Sequence, residues 1–278
     1  MAATEDMKLN HVRRGSGEPL LLVHSLGGTL SQWNPVMDVL AAHRDVIAID
    51  MPGFGRSPLL PNEVEPTARN LASAVIEFSE SLGLRSRPGV AGISLGSWVA
   101  IECGRLGGAS AVVALSPAGF WRSPLGARPN TAHDLAKRIR PLVPLLMRNE
   151  ELRYRALATN VHNPERVPLQ DAIDLIQGYG GAEGYVEANR LMRTSTIGDL
   201  TDLDVPLLIA WAEFDRLVRN RPLPPGLLPP GVRQTVLPGC GHVPTWDDPE
   251  LVASVILEGT SAGAASPAAA AGTGDTGE

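Results

Sequence analysis

The chain has 278 residues, 44% of them hydrophobic and 19% charged, which is ample apolar material for one large core and too little charge for a disordered chain. Its 24 basic residues stand against 30 acidic ones, a net charge of −6, and no stretch concentrates Lys and Arg enough to track a phosphate backbone, which argues against a nucleic-acid partner. Cys103 and Cys240 lie far apart with no CxxC spacing, so neither a disulfide framework nor a metal site is expected, and the thiols read as free in a reducing compartment. The longest apolar stretches are strand length, short of the about 20 residues of a membrane-spanning helix. Met1–Asp6 is acidic, without the basic and apolar regions of a secretory signal. A cytoplasmic location with no membrane partner is therefore expected; the oligomeric state is open.

In chain order, continuous apolar runs at Leu20–Val23, Val46–Ile49, Val112–Leu115 and Val205–Ala210, each bounded by Gly, Pro or polar residues, read as strands buried on both faces of a parallel sheet. Between the second and third, Leu71, Val75, Phe78 and Leu82 recur at helical spacing over Thr67–Leu82. Strand and helix in alternation imply a doubly wound α/β domain. From Trp121 to Gly198 the alternation stops, and Pro- and Gly-separated segments such as Ala132–Arg140 and Leu169–Ile176 read as helices. Arg233–Leu237 reads as the last strand and Pro249–Glu258 as the closing helix. The predicted organisation is a core over residues 8–120 and 199–258, a helical insertion over 121–198, and a disordered Ala/Gly-rich tail over 259–278 that lacks any large apolar side chain.

The chemistry-bearing signal is Gly92-Ile93-Ser94-Leu95-Gly96, entered from Val90-Ala91 and left into a helix-compatible run. A nucleophile on a tight strand-to-helix turn needs small neighbours two positions away on either side, and the turn lifts Ser94 Oγ toward substrate. Asp215 lies just after the Val205–Ala210 strand, and His242 sits in Gly239-Cys240-Gly241-His242-Val243-Pro244 after the last strand. Loops that follow parallel strands converge at the carboxyl edge of the sheet. The order Ser, Asp, His is one of the orders in which hydrolytic triads occur. Glu213 competes with Asp215 for the acid's role.

Taken with His24-Ser25-Leu26-Gly27-Gly28, Asp50-Met51-Pro52-Gly53-Phe54-Gly55-Arg56-Ser57 and Trp211–Val218, these motifs resemble the α/β-hydrolase superfamily with a helical cap, over about residues 8 to 258. The resemblance implies an α/β-hydrolase fold, a mostly parallel central sheet flanked by helices with an inserted helical cap. It further implies a cofactor-independent enzyme that takes a small-molecule substrate. Ser94 would attack, His242 would carry the proton, Asp215 would orient the histidine, and the N–H groups of Leu26 and Leu95 would hold the oxyanion. His24 would support the oxyanion loop. The family commonly carries Gly where this chain has Ser25, which implies a strained or reshaped loop, or a hydroxyl that bonds substrate. Ser25, Phe120, Trp121, Val218 and Val243 are the expected substrate contacts, and Leu142, Val143, Leu145, Leu146 and Met147 are expected to roof an apolar pocket. The arginines Arg138, Arg140, Arg153 and Arg155, interleaved with Asp134, Glu150 and Glu151, read as a solvated face.

The leading function is hydrolysis of a small to medium, largely uncharged ester or lactone through an acyl-enzyme. The alternatives are carbon–carbon bond hydrolysis of the meta-cleavage-product type and a ligand-binding, receptor-like protein on the same fold. Dehalogenase and epoxide hydrolase chemistry would need a carboxylate where Ser94 stands.

Overall fold

The computed structural model describes residues 7–218, 223, 226–229 and 231–261. The readings made for Met1–Asp6 and for the tail beyond Ser261 lie outside them. Seven strands form one sheet: β1 (His11–Gly15), β2 (Pro19–Val23), β3 (Asp45–Ile49), β4 (Gly89–Ile93), β5 (Ala111–Leu115), β6 (Leu207–Ala212) and β7 (Arg233–Leu237), in the order β1-β3-β2-β4-β5-β6-β7. All neighbours are parallel except β1 and β3.

Side chains alternate across the sheet, and the apolar runs supply both faces. Leu21, Val23, Ile47, Ile49, Val112, Ala114, Ile209 and Trp211 face one core with α2 (Ala68–Ser81) and α3 (Leu95–Arg105). Leu20, Leu22, Val46, Ala48, Val113, Leu115, Leu208 and Ala210 face the other with α1 (Asn34–Ala41) and α9 (Pro249–Gly259). The Thr67 side chain accepts the Asn70 N–H and Asp248 accepts the Leu251 N–H, so two of these helices begin on N-caps that satisfy an otherwise orphan donor. α9 runs one residue past its predicted end and takes in Gly259.

Between β5 and β6 lie α4 (Thr131–Ile139), α5 (Val143–Leu146), α6 (Glu150–Leu157), α7 (Leu169–Gly181) and α8 (Tyr185–Thr194). Val143 and Met147 are buried with Ile173 in a small core of this segment's own, while Leu142 and Leu145 are 54% and 65% exposed. Leu146 packs against the same small core, so exposure separates Leu142 and Leu145 from the other three residues expected to roof a pocket. Arg153 also departs from expectation: it is buried, and its Nη1 donates to the Met147 carbonyl at 2.9 Å, because α6 turns this arginine back along the preceding loop. No helix among the described residues is long and apolar enough to cross a membrane.

Candidate active site

Ser94 follows β4 directly and holds φ +57°, ψ −114°, a conformation that costs a non-glycine residue of order 1–3 kcal/mol and persists only where the surroundings dictate it. They do so through backbone bonds. The Ser94 N–H donates to Leu115 O at 3.0 Å, and the Ser94 carbonyl accepts the N–H groups of Ser97 and Ala118, each at 3.1 Å. The Ser97 hydroxyl bridges the carbonyls of Gly92 and Leu115 at 2.7 and 2.8 Å. A β-carbon at Gly92 would lie 2.1 Å from Gly96 O, and one at Gly96 would lie 2.3 Å from Val23 O and 2.4 Å from His24 O. The two glycines of the motif thus let α3 start against the end of β2, which puts Leu95 beside the loop that carries Leu26.

That loop is built on His24, which is fully buried. Its Nε2 accepts the Met51 N–H at 2.9 Å and its Nδ1 donates to the Ser25 carbonyl at 2.8 Å, a division of roles that requires the neutral ring. Burial pushes the His24 pKa down, with the Asp50 charge and the Ser25 carbonyl acting against it. Ser25 shows no positive φ, so a serine at this position carries no strain, and the loop's positive φ falls on Gly27. Gln32 clamps the residue instead: its Oε1 accepts the Ser25 N–H and its Nε2 donates to Ser25 Oγ, both at 2.9 Å. The Ser25 hydroxyl keeps its proton to donate. Asp50 ties the neighbouring turn together by accepting from Leu30 N, Asn10 Nδ2 and Arg56 N at 2.7–2.9 Å.

Asp215 and His242, 27 residues apart, meet in a 2.8 Å bond between Oδ2 and Nδ1, and both side chains are almost wholly buried. The other carboxylate oxygen accepts the N–H groups of Leu217 and Val218 at 2.8 Å each. Burial works to raise the Asp215 pKa, but the His242 hydrogen bond and charge and the two backbone donors outweigh it and hold the carboxyl below its ordinary value. An ionised carboxylate only accepts, so Nδ1 carries the proton and Nε2 remains the ring's basic nitrogen. Glu213 does a different job: its Oε2 accepts the Gly239 N–H at 2.9 Å.

Sequence reasoning missed the support behind His242. Asp247, 1% exposed, accepts the N–H groups of Gly241 at 2.8 Å, His162 at 3.0 Å and Asn163 at 2.7 Å, and Asn163 Nδ2 at 3.0 Å. Val243 N donates to Asn160 O at 2.8 Å, and the His162 ring stacks on Phe214 with centroids 4.0 Å apart. A β-carbon on Gly241 would lie 2.6 Å from His162 N. Residues 160–163 are therefore fastened to the histidine and acid loops at once. No sequence signal pointed to this, since the Asp247 partners His162 and Asn163 lie 85 and 84 positions away.

Beyond Ser25, the expected substrate contacts divide between the two faces: Phe120, Trp121 and Val218 pack against one core and Val243 lies in the other. Phe120 packs edge-on to Trp211 and Trp121 edge-on to Trp98, with Trp121 Nε1 donating to Ser195 O at 2.7 Å. Val218 is half-buried against the core, and Val243 is buried in the face that holds α9. Among the described residues no group of three or more His, Cys, Asp or Glu side chains could hold a metal ion.

Comparison with known proteins agrees with this architecture. The dihydrolipoyllysine-residue acetyltransferase component of the acetoin cleaving system of Cupriavidus necator is 25% identical over an alignment of 259 residues that covers 87% of this chain; the chain spans 63% of that relative's length. The epoxide hydrolase EphH of Mycobacterium tuberculosis is 30% identical over 194 residues, covering 61% of this chain and 86% of the relative. Among solved structures, a thermophilic esterase from Thermogutta terrifontis superposes with a TM-score of 0.67 at 22% identity, over 93% of this chain and 94% of the other. The model of the alpha/beta hydrolase family matches residues 20–255, and with the fold and the arrangement described above the chain belongs to that family.

Proposed function

We propose that the chain is a cofactor-independent serine hydrolase of small to medium, largely uncharged esters or lactones. The observation that carries this reading is the His242–Asp215 bond with Nε2 left basic, in a fold whose β4–α3 turn holds Ser94 at positive φ. Ser94 Oγ attacks the substrate carbonyl as His242 Nε2 takes its proton. Asp215 holds the ring in the Nδ1–H tautomer and stabilises the imidazolium. The tetrahedral oxyanion draws on the N–H groups of Leu26 and Leu95. Collapse expels the alcohol, which receives the proton from His242, and water then repeats the sequence to release the acid and restore Ser94. The helical segment between β5 and β6 serves as a cap over this edge of the sheet.

A relative named as an epoxide hydrolase does not change the reading. A hydroxyl nucleophile that opens an epoxide leaves a stable ether, whereas its ester with a carbonyl substrate is hydrolysed readily. The test is labelling with a fluorophosphonate probe, followed by turnover of p-nitrophenyl esters, lactones and vinylogous diketones. Labelling at Ser94 with ester or lactone turnover is expected. Absence of labelling overturns the reading, and turnover of the diketones alone moves it to carbon–carbon cleavage.

A further inference from the structure

Three aromatic residues that play no part in the mechanism above close over the oxyanion loop. Tyr179 near the end of α7 and Tyr185 at the start of α8 both lie on Gly27, the residue after Leu26: a β-carbon there would stand 2.6 Å from Tyr179 Cδ2 and 3.2 Å from Tyr185 Cδ2. The two rings meet edge to face with centroids 5.0 Å apart, and Tyr179 Oη donates to Tyr185 Oη at 3.3 Å. His133 of α4 stacks flat on Tyr185 at 4.4 Å and edge-on to Tyr179 at 5.4 Å. It is 4% exposed, neither ring nitrogen meets a partner at full hydrogen-bond geometry, and Asp134 Oδ1 lies 3.9 Å from Nδ1.

An apolar roof would not be built this way. Two half-buried phenols bring hydroxyl groups to the place, and the buried imidazole behind them lacks hydrogen-bond partners, which is costly. Since Tyr179 donates to Tyr185, the Tyr185 hydroxyl proton is left to donate elsewhere. The group is also uncharged. Burial pushes the Tyr179 pKa well up, with the Tyr185 hydrogen bond adding to it, and burial pushes His133 down against the pull of the Ala182 backbone and Asp134. The formal charges acting on it, Asp134 and Lys137, are opposite in sign.

We infer that the Tyr179–Tyr185 pair, backed by His133, is a second hydrogen-bonding subsite beside the oxyanion loop, which reads a neutral acceptor oxygen on the substrate. The preferred substrates are then esters or lactones whose acyl part carries a further ketone, ether or ester oxygen, not plain alkyl esters and not carboxylates, since the charges of Asp134 and Lys137 oppose each other at His133. This deepens the hydrolase reading and rests on it only in that the acceptor belongs to the molecule Ser94 attacks.

The test compares phenyl heptanoate with phenyl esters of 3-, 4-, 5- and 6-oxoheptanoic acid, each corrected for its spontaneous hydrolysis. One oxo position is expected to raise kcat/KM about tenfold over the plain ester, which corresponds to about 1.4 kcal/mol. In Tyr185→Phe, which keeps the ring on Gly27 and His133, that ratio should fall to near one, with Tyr179→Phe intermediate. A parallel measurement needs no turnover: calorimetric binding of the matching anilides, N-phenylheptanamide and its oxo derivatives, to Ser94→Ala. A tenfold preference for one oxo anilide that Tyr185→Phe removes supports the subsite even if no ester is turned over, in which case the hydrolase reading alone fails. A flat profile along the oxo series, or a preference that survives Tyr185→Phe, overturns the subsite even if the esters are hydrolysed well.

Discussion

Ser94 combines a β-carbon with φ +57°, so its two smallest replacements should behave differently. Ser94→Ala is expected to lower turnover by about 10³-fold or more and to keep the backbone strain. Ser94→Gly should be equally inactive yet more stable than the alanine variant by about 1 kcal/mol, because glycine adopts positive φ without penalty; urea midpoints check this. At the acid, Asp215→Asn is expected to cost about 10⁴-fold in kcat, since an amide no longer fixes the histidine tautomer. Glu213→Gln removes only part of one hydrogen bond to Gly239 and should cost no more than about tenfold. Steady-state kinetics on the two variants separates them. His24 carries a pH dependence of stability. Its pKa is lowered in the fold from about 6.5 in the unfolded chain, so its contribution is complete above about pH 6.5 and is lost as pH falls toward the folded value. Melting temperature should decline from pH 7 to pH 5 more steeply in wild type than in His24→Gln, which has no proton to gain.

Among the elements, Asp247 ties residues 162 and 163 to the loop that carries His242. Replacing Asp247 by Ala orphans the N–H groups of Gly241, His162 and Asn163, and at about 1–3 kcal/mol for each buried donor left unmade the variant should lose about 3 kcal/mol or more in denaturant unfolding. Any folded fraction should turn over slowly, because the same bonds position the backbone before His242. None of this was legible in the sequence, where an aspartate and its partners stand in unrelated segments. Legible were the elements whose identity is set by burial: Leu20–Val23, Val46–Ile49 and Val112–Leu115 are apolar because both of their faces are covered. Strand β1 is held by its antiparallel pairing with β3, not by burial, and its exposed arginines give no hydrophobic signal. The segment beginning at Val205 starts its pairing as β6 two residues late and continues through Trp211 and Ala212. α7 runs on to Gly181 although its glycines look like stops. Gly180 has another task there: a β-carbon on it would lie 2.7 Å from the Ala136 carbonyl, so it lets α4 and α7 cross closely. The glycines on either side of Ser94 were plain, because the local turn demands them, while the Tyr179–Tyr185–His133 group depends on that helix crossing.

At the scale of the whole molecule, the two thiols report on global unfolding. Cys103 and Cys240 are free and buried, and burial, helped for Cys240 by the nearby Asp247 and Asp248 charges, pushes the Cys240 pKa up to about 12 and that of Cys103 higher still. A thiol that is neither ionised nor reachable is inert, so native protein should leave Ellman's reagent unreacted over hours, and two thiols should appear together across the urea transition. Earlier reaction of one alone would reveal local opening. The sheet's two ends carry a different consequence. Its outermost strands expose Arg13 and Arg14 on one side and Arg233 and Gln234 on the other, with Arg13 paired to Asp45 and Arg233 to Glu258. An unpaired strand edge is a template for another chain's backbone, and charged side chains on it, here held by carboxylate partners, make an added strand costly to desolvate. The arginines that hid β1 from a hydrophobic reading thus place charge on the sheet's antiparallel edge strand.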